Sequence, residues 1–182
     1  FFNKKDYNKN HNTIIATARG GNVIGGGDWS NDRLIPDIVK STSKGIKTII
    51  RNPNSIRPWQ HVLDCLFGYL HLGSKLLNKE IEFSGSWNFA PFSSDTKSVI
   101  EVIECAKMKW SLIDVDFDLT SDKVHEASIL KLDNSKSISL LSWKPILNTE
   151  IAIEYTLQWY KSFYEEGKVI TFQQIENYFK LQ

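Results

Sequence analysis

Residues 18–29 read ARGGNVIGGGDW, five glycines in twelve positions, directly after the short β-branched run TIIATA at 13–18. No other stretch limits the fold as much, because glycine lets backbone pass close to backbone and reaches conformations closed to other residues. A β-branched run that stops at glycines reads as a buried strand over 13–18 that hands over to a loop and then a helix. The glycine spacing fits neither standard phosphate loop. A P-loop closes on Gly-Lys-Ser/Thr and a dinucleotide fingerprint runs G-x-G-x-x-G, whereas here Gly20 and Gly21 are followed by Gly25, Gly26 and Gly27. On spacing alone, the stretch reads equally as a turn facing a ligand or as a tight crossing between layers.

The rest of the chain alternates. RLIPDIVKSTSKG (33–45) is expected to be a helix, with Asp28, Ser30, Asn31 or Asp32 as its cap, Pro36 near its first turn and Gly45 as its stop. KTIIRN reads as a strand closed by a Pro53-Asn54 turn, and RPWQHV (57–62) as extended because Arg57 precedes a proline. Helical spacing of Leu63, Leu66, Phe67, Leu70 and Leu77 follows, with Asp64 near the helix start where a carboxylate favours the dipole. SWNFA (86–90) is a strand, and Ser94 or Asp95 is expected to cap a helix through SVIEVIECAKMKW. VDFDLT and SILKLD are strand candidates. NSKSISLL, NTEIAIEYTLQWYKSFYEEG and TFQQIENYFKLQ are helices, the second ending at Gly167. Strands alternating with helices, then helices gathering, predict an α/β fold.

Composition narrows the function. With 41% hydrophobic residues the chain can bury a core, and 22 basic against 21 acidic residues give +1, too balanced for a partner held by bulk electrostatics such as nucleic acid or a membrane surface. Cys65 and Cys105 sit in apolar helical patterns and read as small buried hydrophobes, although a bridge between them is open in principle. No run is long enough to cross a membrane and no signal peptide opens the chain, so a cytoplasmic setting is expected. The chain begins FFNKKDYNKNHN without an initiator methionine and is expected to be trimmed or partial.

Three polar residues stand at or near the carboxyl ends of predicted strands, where open α/β sheets bind ligands: Asn22, Arg57 and Asn88. An arginine fork can grip a diphosphate, and asparagine amides can donate to phosphate or sugar oxygens. Tyr164 and Lys168 have the Tyr-x-x-x-Lys spacing of a proton-transfer pair, but Gly167 ends the helix between them. TSDKVHEA (120–127) offers Thr, Asp and Lys, read as loop capping. His61 shares a face with Trp59 and has no second ligand at a diagnostic spacing, so no metal site is expected.

Together, ARGGNVIGGGDW, DRLIPDIV, RNPNSIRPWQHVLD, GYL, SWNFAP, HEASILKLDNSKSISLLSWKP and LQWYKSFYEEG resemble the second half of the nucleotide-sugar 4,6-dehydratases of the extended short-chain dehydrogenase/reductase family. GGNVIGGGDW followed by RPWQHVLD is specific within that family. The resemblance implies the C-terminal part of a Rossmann-type NAD enzyme with its smaller mixed α/β substrate lobe, residues 1–182 forming one interleaved unit. It implies a lyase that acts on CDP-glucose or another nucleotide sugar and yields a 4-dehydro-6-deoxy sugar for deoxysugar or lipopolysaccharide biosynthesis. By position, Asn22, Arg33, Leu34, Arg57 and Asn88 are similar to the residues that hold the nucleotide sugar, and Gly20 and Gly21 to the backbone that passes the NAD nicotinamide. The glycine-rich NAD loop and the catalytic Tyr-x-x-x-Lys of the family are expected upstream of Phe1, so no catalytic residue is assigned in this chain and the chain alone is expected to be inactive. The full enzyme is expected to be a homo-oligomer. A non-catalytic or relic module and a related dehydratase or epimerase remain open, and a TIIATA strand left at a sheet edge would favour self-association.

Overall fold

The structure, a computed structural model, describes residues 13–118 and 128–182. TSDKVHEA (120–127) lies outside the described residues. Strands β1 (Ala16–Gly20) and β2 (Asn22–Ile24) lead to helix α1 (Leu34–Ser43), then to strands β3 (Thr48–Ile50), β4 (Ile56–Arg57) and β5 (Trp59–His61). Helix α2 (Val62–Leu77), strands β6 (Gly85–Phe89) and β7 (Lys97–Ser98), helix α3 (Val99–Lys109) and strand β8 (Val115–Phe117) follow. Helices α4 (Ser135–Leu141), α5 (Thr149–Glu166) and α6 (Thr171–Phe179) complete the chain.

The strands form four pairs, β1 with β6, β2 with β5, β3 with β8, all parallel, and β4 with β7, antiparallel. Parallel strands joined through helices are the α/β arrangement expected from the alternation. The core has two parts. One gathers Ile35, Ile38, Val102, Ile153, Leu157 and Tyr160 between α1, α3 and α5; the other gathers Leu72, Trp87, Phe89, Leu141 and Trp143 between α2, β6 and α4.

Several local expectations shift. The first strand runs 16–20 instead of 13–18, and it is not buried: Thr17 to Arg19 are exposed and Ile15 is 48% accessible. Hydrogen bonding to β6 carries the strand into the glycines, and among the described residues β1 has β6 as its sole strand partner. The long exposed edge is the feature that a soluble sheet ordinarily covers. Helix α1 starts at Arg33 without a side-chain cap, because Asp28 turns to Ser30 and Arg33, and Asn31 meets Lys40. Ser98, not Ser94 or Asp95, caps α3, in a reciprocal box with Glu101. Asp95 instead accepts the Thr149 amide at 2.7 Å, next to the start of α5. SILKLD is not a strand: among the described residues Ile129 makes a single bridge to Ile56, and Ile129 and Leu130 are 58% and 45% exposed. The cysteines are both free and buried.

One buried carboxylate joins three distant segments. Asp64, fully buried in the first turn of α2, accepts the amides of Ile146 and Leu147 at 3.0 Å each and the Tyr178 hydroxyl at 2.9 Å. Burial pushes its pKa up, and the three hydrogen bonds pull against that. Beside it, His61 caps α2 by accepting the Leu63 amide on Nδ1, and burial pushes its pKa down from 6.5 to about 4.

Replacing Asp64 with alanine leaves two buried amides and a hydroxyl without their acceptor, each orphan costing about 1–3 kcal/mol. Asp64→Ala is expected to lose at least about 3 kcal/mol in urea unfolding, while a loss within error would show that the junction is not stabilising. His61 acts through pH. Unfolded, its imidazole takes a proton below 6.5, whereas the folded chain holds it neutral to about 4, so this stability is complete above 6.5 and falls away as pH drops to about 4. His61→Asn keeps a capping acceptor and does not titrate. Melting curves are expected to show the parent losing more stability than the variant over that window, the difference approaching roughly 3 kcal/mol; parallel profiles would rule the effect out.

Candidate functional site

The strand pairs meet at a single change of partner. The Gly21 amide donates to the Phe89 carbonyl at 3.1 Å, the last bond on the β6 side, and the Asn22 amide donates to the Pro58 carbonyl at 2.8 Å, the first on the β5 side. The crossing takes one residue, and a Cβ on Gly21 would stand 2.3 Å from the Pro58 carbonyl oxygen, so glycine is required there. Gln60, fully buried, locks the junction by donating through Nε2 to the same Phe89 carbonyl at 2.7 Å.

A cavity of about 660 Å³ opens against this crossing. Its wall brings together Gly20, Gly21, Asn22, Arg33, Leu34 and Arg57, the residues singled out from the sequence except Asn88. Arg57, only 6% exposed, ends β4, and its Nη1 donates to the Ile56 carbonyl at 2.9 Å. A guanidinium on a cavity wall presents a fork of N–H donors that suits an anionic occupant. The amino end of α1 lies on the same wall without a side-chain cap, which adds the positive end of a helix dipole. Two exposed pairs, Arg33–Asp28 at 3.2 Å and Arg51–Asp32 at 3.5 Å, stand on the wall beyond it. Ile50, Leu34 and Trp59 give one side of the cavity an apolar lining. The arrangement can hold a flexible anion with an apolar or planar group at one end.

Asn88 lies elsewhere. Its Nδ2 donates to the Asp133 carbonyl at 2.8 Å, and its Oδ1 is buried without a hydrogen-bond partner among the described residues. Within β6 it stands opposite Arg19; its side chain holds the Asp133 backbone, and its backbone carbonyl accepts from the Ser137 hydroxyl.

The second group of glycines has a separate task. A Cβ on Gly26 would fall 2.0 Å from the Trp159 ring, so the loop lies flat on α5. The Tyr160 hydroxyl accepts the Asp28 amide at 3.0 Å and donates to the Asp28 carbonyl at 2.6 Å, clasping the loop from both sides. Trp29 then enters a cage of rings, with Tyr160 and Phe163 both at 5.3 Å, Tyr164 at 5.7 Å and Trp159 at 6.3 Å. These glycines are packing residues. Tyr164 is used in this cage, and Lys168 pairs with Glu166 at 2.9 Å, so the two do not form a proton-transfer pair. Among the described residues no lysine lines the cavity.

Sequence reasoning assigned no role to Tyr69, which lines the cavity beside Gly20. The signal was the helical spacing of Cys65 and Tyr69 on the α2 turn next to RPWQHV, which reads as core until β1 is known to run beside it.

No protein-family model matches the chain. The chain is 42% identical over 164 residues to a CDP-glucose 4,6-dehydratase of Salmonella typhimurium, a match that takes in 90% of this chain and 45% of that protein. The chain thus spans about half the length of the relative it matches. Among solved structures it is similar to a UDP-glucose 4-epimerase from Stenotrophomonas maltophila, with bound NAD and formylated UDP-arabinopyranose, at TM-score 0.70 and 17% identity over 86% of this chain and 50% of that one. It is likewise similar to a dTDP-glucose 4,6-dehydratase from Bacillus anthracis in complex with NAD, at TM-score 0.65 and 20% identity over 83% of this chain and 46% of that one. The fold is therefore that of the C-terminal portion of the extended short-chain dehydrogenase/reductase epimerases and dehydratases, as the sequence resemblance implied.

Gly26→Ala forces the loop off Trp159, and overpacking of this kind costs about 1–3 kcal/mol. The expected result is a lower unfolding midpoint together with altered tryptophan fluorescence as Trp29 leaves its cage. An unchanged spectrum and midpoint would show that the loop is not held there.

Proposed function

We propose that this chain carries the nucleotide-sugar-binding wall of a CDP-glucose 4,6-dehydratase, the enzyme that removes water from CDP-D-glucose to give CDP-4-dehydro-6-deoxy-D-glucose. The observation that carries the reading is the meeting of Asn22 and the buried Arg57 on one cavity wall, at a crossing that the packing makes rigid. The 42% identity to a protein of that activity favours CDP over the other nucleotides.

In this reading the Arg57 guanidinium forks onto the diphosphate and the Asn22 amide donates to a neighbouring oxygen. Leu34 and Arg33 border the nucleoside at the amino end of α1, where the uncapped amides add positive potential. Asn88 supports the wall indirectly, holding the Asp133 backbone against β6.

NAD would carry the hydride in such an enzyme, and the relatives of known structure hold it. The described residues do not make an NAD site alone. They bring two glycines to the cavity, and the Cβ side of both is filled by Pro58, Cys65, Tyr69 and Val23. This chain's part is to bind and orient the sugar nucleotide. The setting proposed is a cytoplasmic homo-oligomeric lyase of deoxysugar or lipopolysaccharide biosynthesis. A second reading is a non-catalytic module that binds the sugar nucleotide without turnover.

Calorimetric titration of the 182-residue chain tests the reading. CDP-glucose is expected to bind, and Arg57→Lys to weaken it roughly tenfold or more, because a point charge does not replace the bidentate fork. Equal binding of UDP-glucose, dTDP-glucose and CDP-glucose would remove the CDP assignment. Absence of binding by a chain with intact circular dichroism would overturn the site.

A further inference from the structure

Gly20 has no side chain, yet the space beside it is not empty. A Cβ there would stand 2.9 Å from Cys65 Sγ and 3.2 Å from the Tyr69 hydroxyl oxygen, so α2 sends a polar group to the place that a residue in β1 leaves open. Cys65 and Tyr69 are one helical turn apart, and the Tyr69 ring is held edge-on against Phe89 at 5.4 Å, which fixes where its hydroxyl can go. Tyr69 is half-buried and lines the same cavity as Asn22 and Arg57.

Its hydroxyl has two partners, the Gly20 backbone and the Cys65 thiol, and of these the sulfur is a weak acceptor. Burial, with the thiol as a second cause, pushes the Tyr69 pKa up to about 12, so the phenol remains a neutral donor through the physiological range. Exchange of a thiol for an oxygen of a bound ligand would strengthen its hydrogen bond.

Position along the wall says which part of the ligand that is. Gly20 lies two residues before Asn22 across the bend at Gly21, roughly 6 Å away, a distance that separates a phosphate from the middle of a sugar ring attached to it. Leu34, Ile50 and Trp59 also line the cavity and offer apolar surface that suits a base. The hydroxyl beside Gly20 suits a sugar.

We propose that the Tyr69 hydroxyl binds a hydroxyl of the sugar ring in a nucleoside diphosphate sugar whose diphosphate is held by Asn22 and Arg57. The inference rests on the nucleotide-sugar reading given above and adds a residue that discriminates the sugar from the nucleotide.

The test titrates CDP and CDP-glucose into the parent chain and into Tyr69→Phe, which removes one oxygen and keeps the ring. CDP affinity, unchanged, reports an intact cavity, and CDP-glucose affinity is expected to fall roughly three- to tenfold, the weight of one neutral hydrogen bond. A set of CDP-glucose analogues that each lack one sugar hydroxyl supplies the second measurement. One analogue is expected to bind the parent as weakly as CDP-glucose binds Tyr69→Phe, and to lose nothing further in that variant. Equal CDP-glucose affinity for parent and Tyr69→Phe overturns this inference and leaves the Arg57 site standing. An equal fall for CDP and CDP-glucose also overturns it, since the hydroxyl would then act on the nucleotide or on the fold. If the parent binds neither ligand, the nucleotide-sugar reading falls and takes this inference with it.

Discussion

The Phe89 carbonyl is the point on which the site depends. It accepts the Gly21 amide from β1 and the Gln60 amide from β5, so one oxygen holds together the strand pair that ends at Gly20 and the pair that begins at Asn22. Backbone groups buried at such a junction must be paired, and here the pairing also fixes direction. Once Gly21 is committed to Phe89 and Asn22 to Pro58, Asn22 and Arg57 are brought to one wall by backbone geometry, before any side chain chooses a rotamer. A site on rigid elements keeps its donors near their working positions, and less ordering has to be supplied when a ligand arrives.

The second half of the chain serves this junction by clamping it from outside. Tyr160 grips both the amide and the carbonyl of Asp28, and Trp29 is enclosed by rings from the same helix, so the loop between β2 and α1 cannot drift from the cavity. Asp64 plays the same part for α2, because its carboxylate gathers the amides before α5 and the hydroxyl of α6 onto the helix that presents Tyr69. Both clamps are polar groups in buried surroundings. Such groups are worth little when paired and costly when orphaned, so they constrain geometry more than they add stability.

Much of this was legible in the sequence, and what was not has a common cause. The α/β class, the extents of α1, α2 and α5, and the Gly167 stop with its φ of 68° follow from periodicity and from glycine at a helix end, which are local properties. Gathering of Asn22, Arg33, Leu34 and Arg57 could be named because the resemblance covers nearly the whole chain. The errors arose where a residue had two local uses and a distant partner chose between them. Asp95 is a reasonable cap for α3, but the Thr149 amide claims it and Ser98 caps instead. Asn88 reads as a ligand donor at a strand end, and its amide also reaches the Asp133 carbonyl, a partner distant in sequence. SILKLD has the alternation of a strand, and among the described residues it makes only the bridge from Ile129 to Ile56.

The glycine stretch shows how two causes can be written in one run. Gly20 and Gly21 are needed because backbone and α2 side chains pass too close for a Cβ, and they lie on the cavity; Gly26 is needed because the loop rests on Trp159. A phosphate loop uses glycine so that its amides can face the ligand. Here the Gly21 and Asn22 amides are already spent on Phe89 and Pro58, so the stretch has little left with which to bind an anion through backbone. An anion at this wall would therefore have to be met by side chains and the amino end of α1, and Arg57, unlike the glycines, brings N–H donors to the cavity for that purpose.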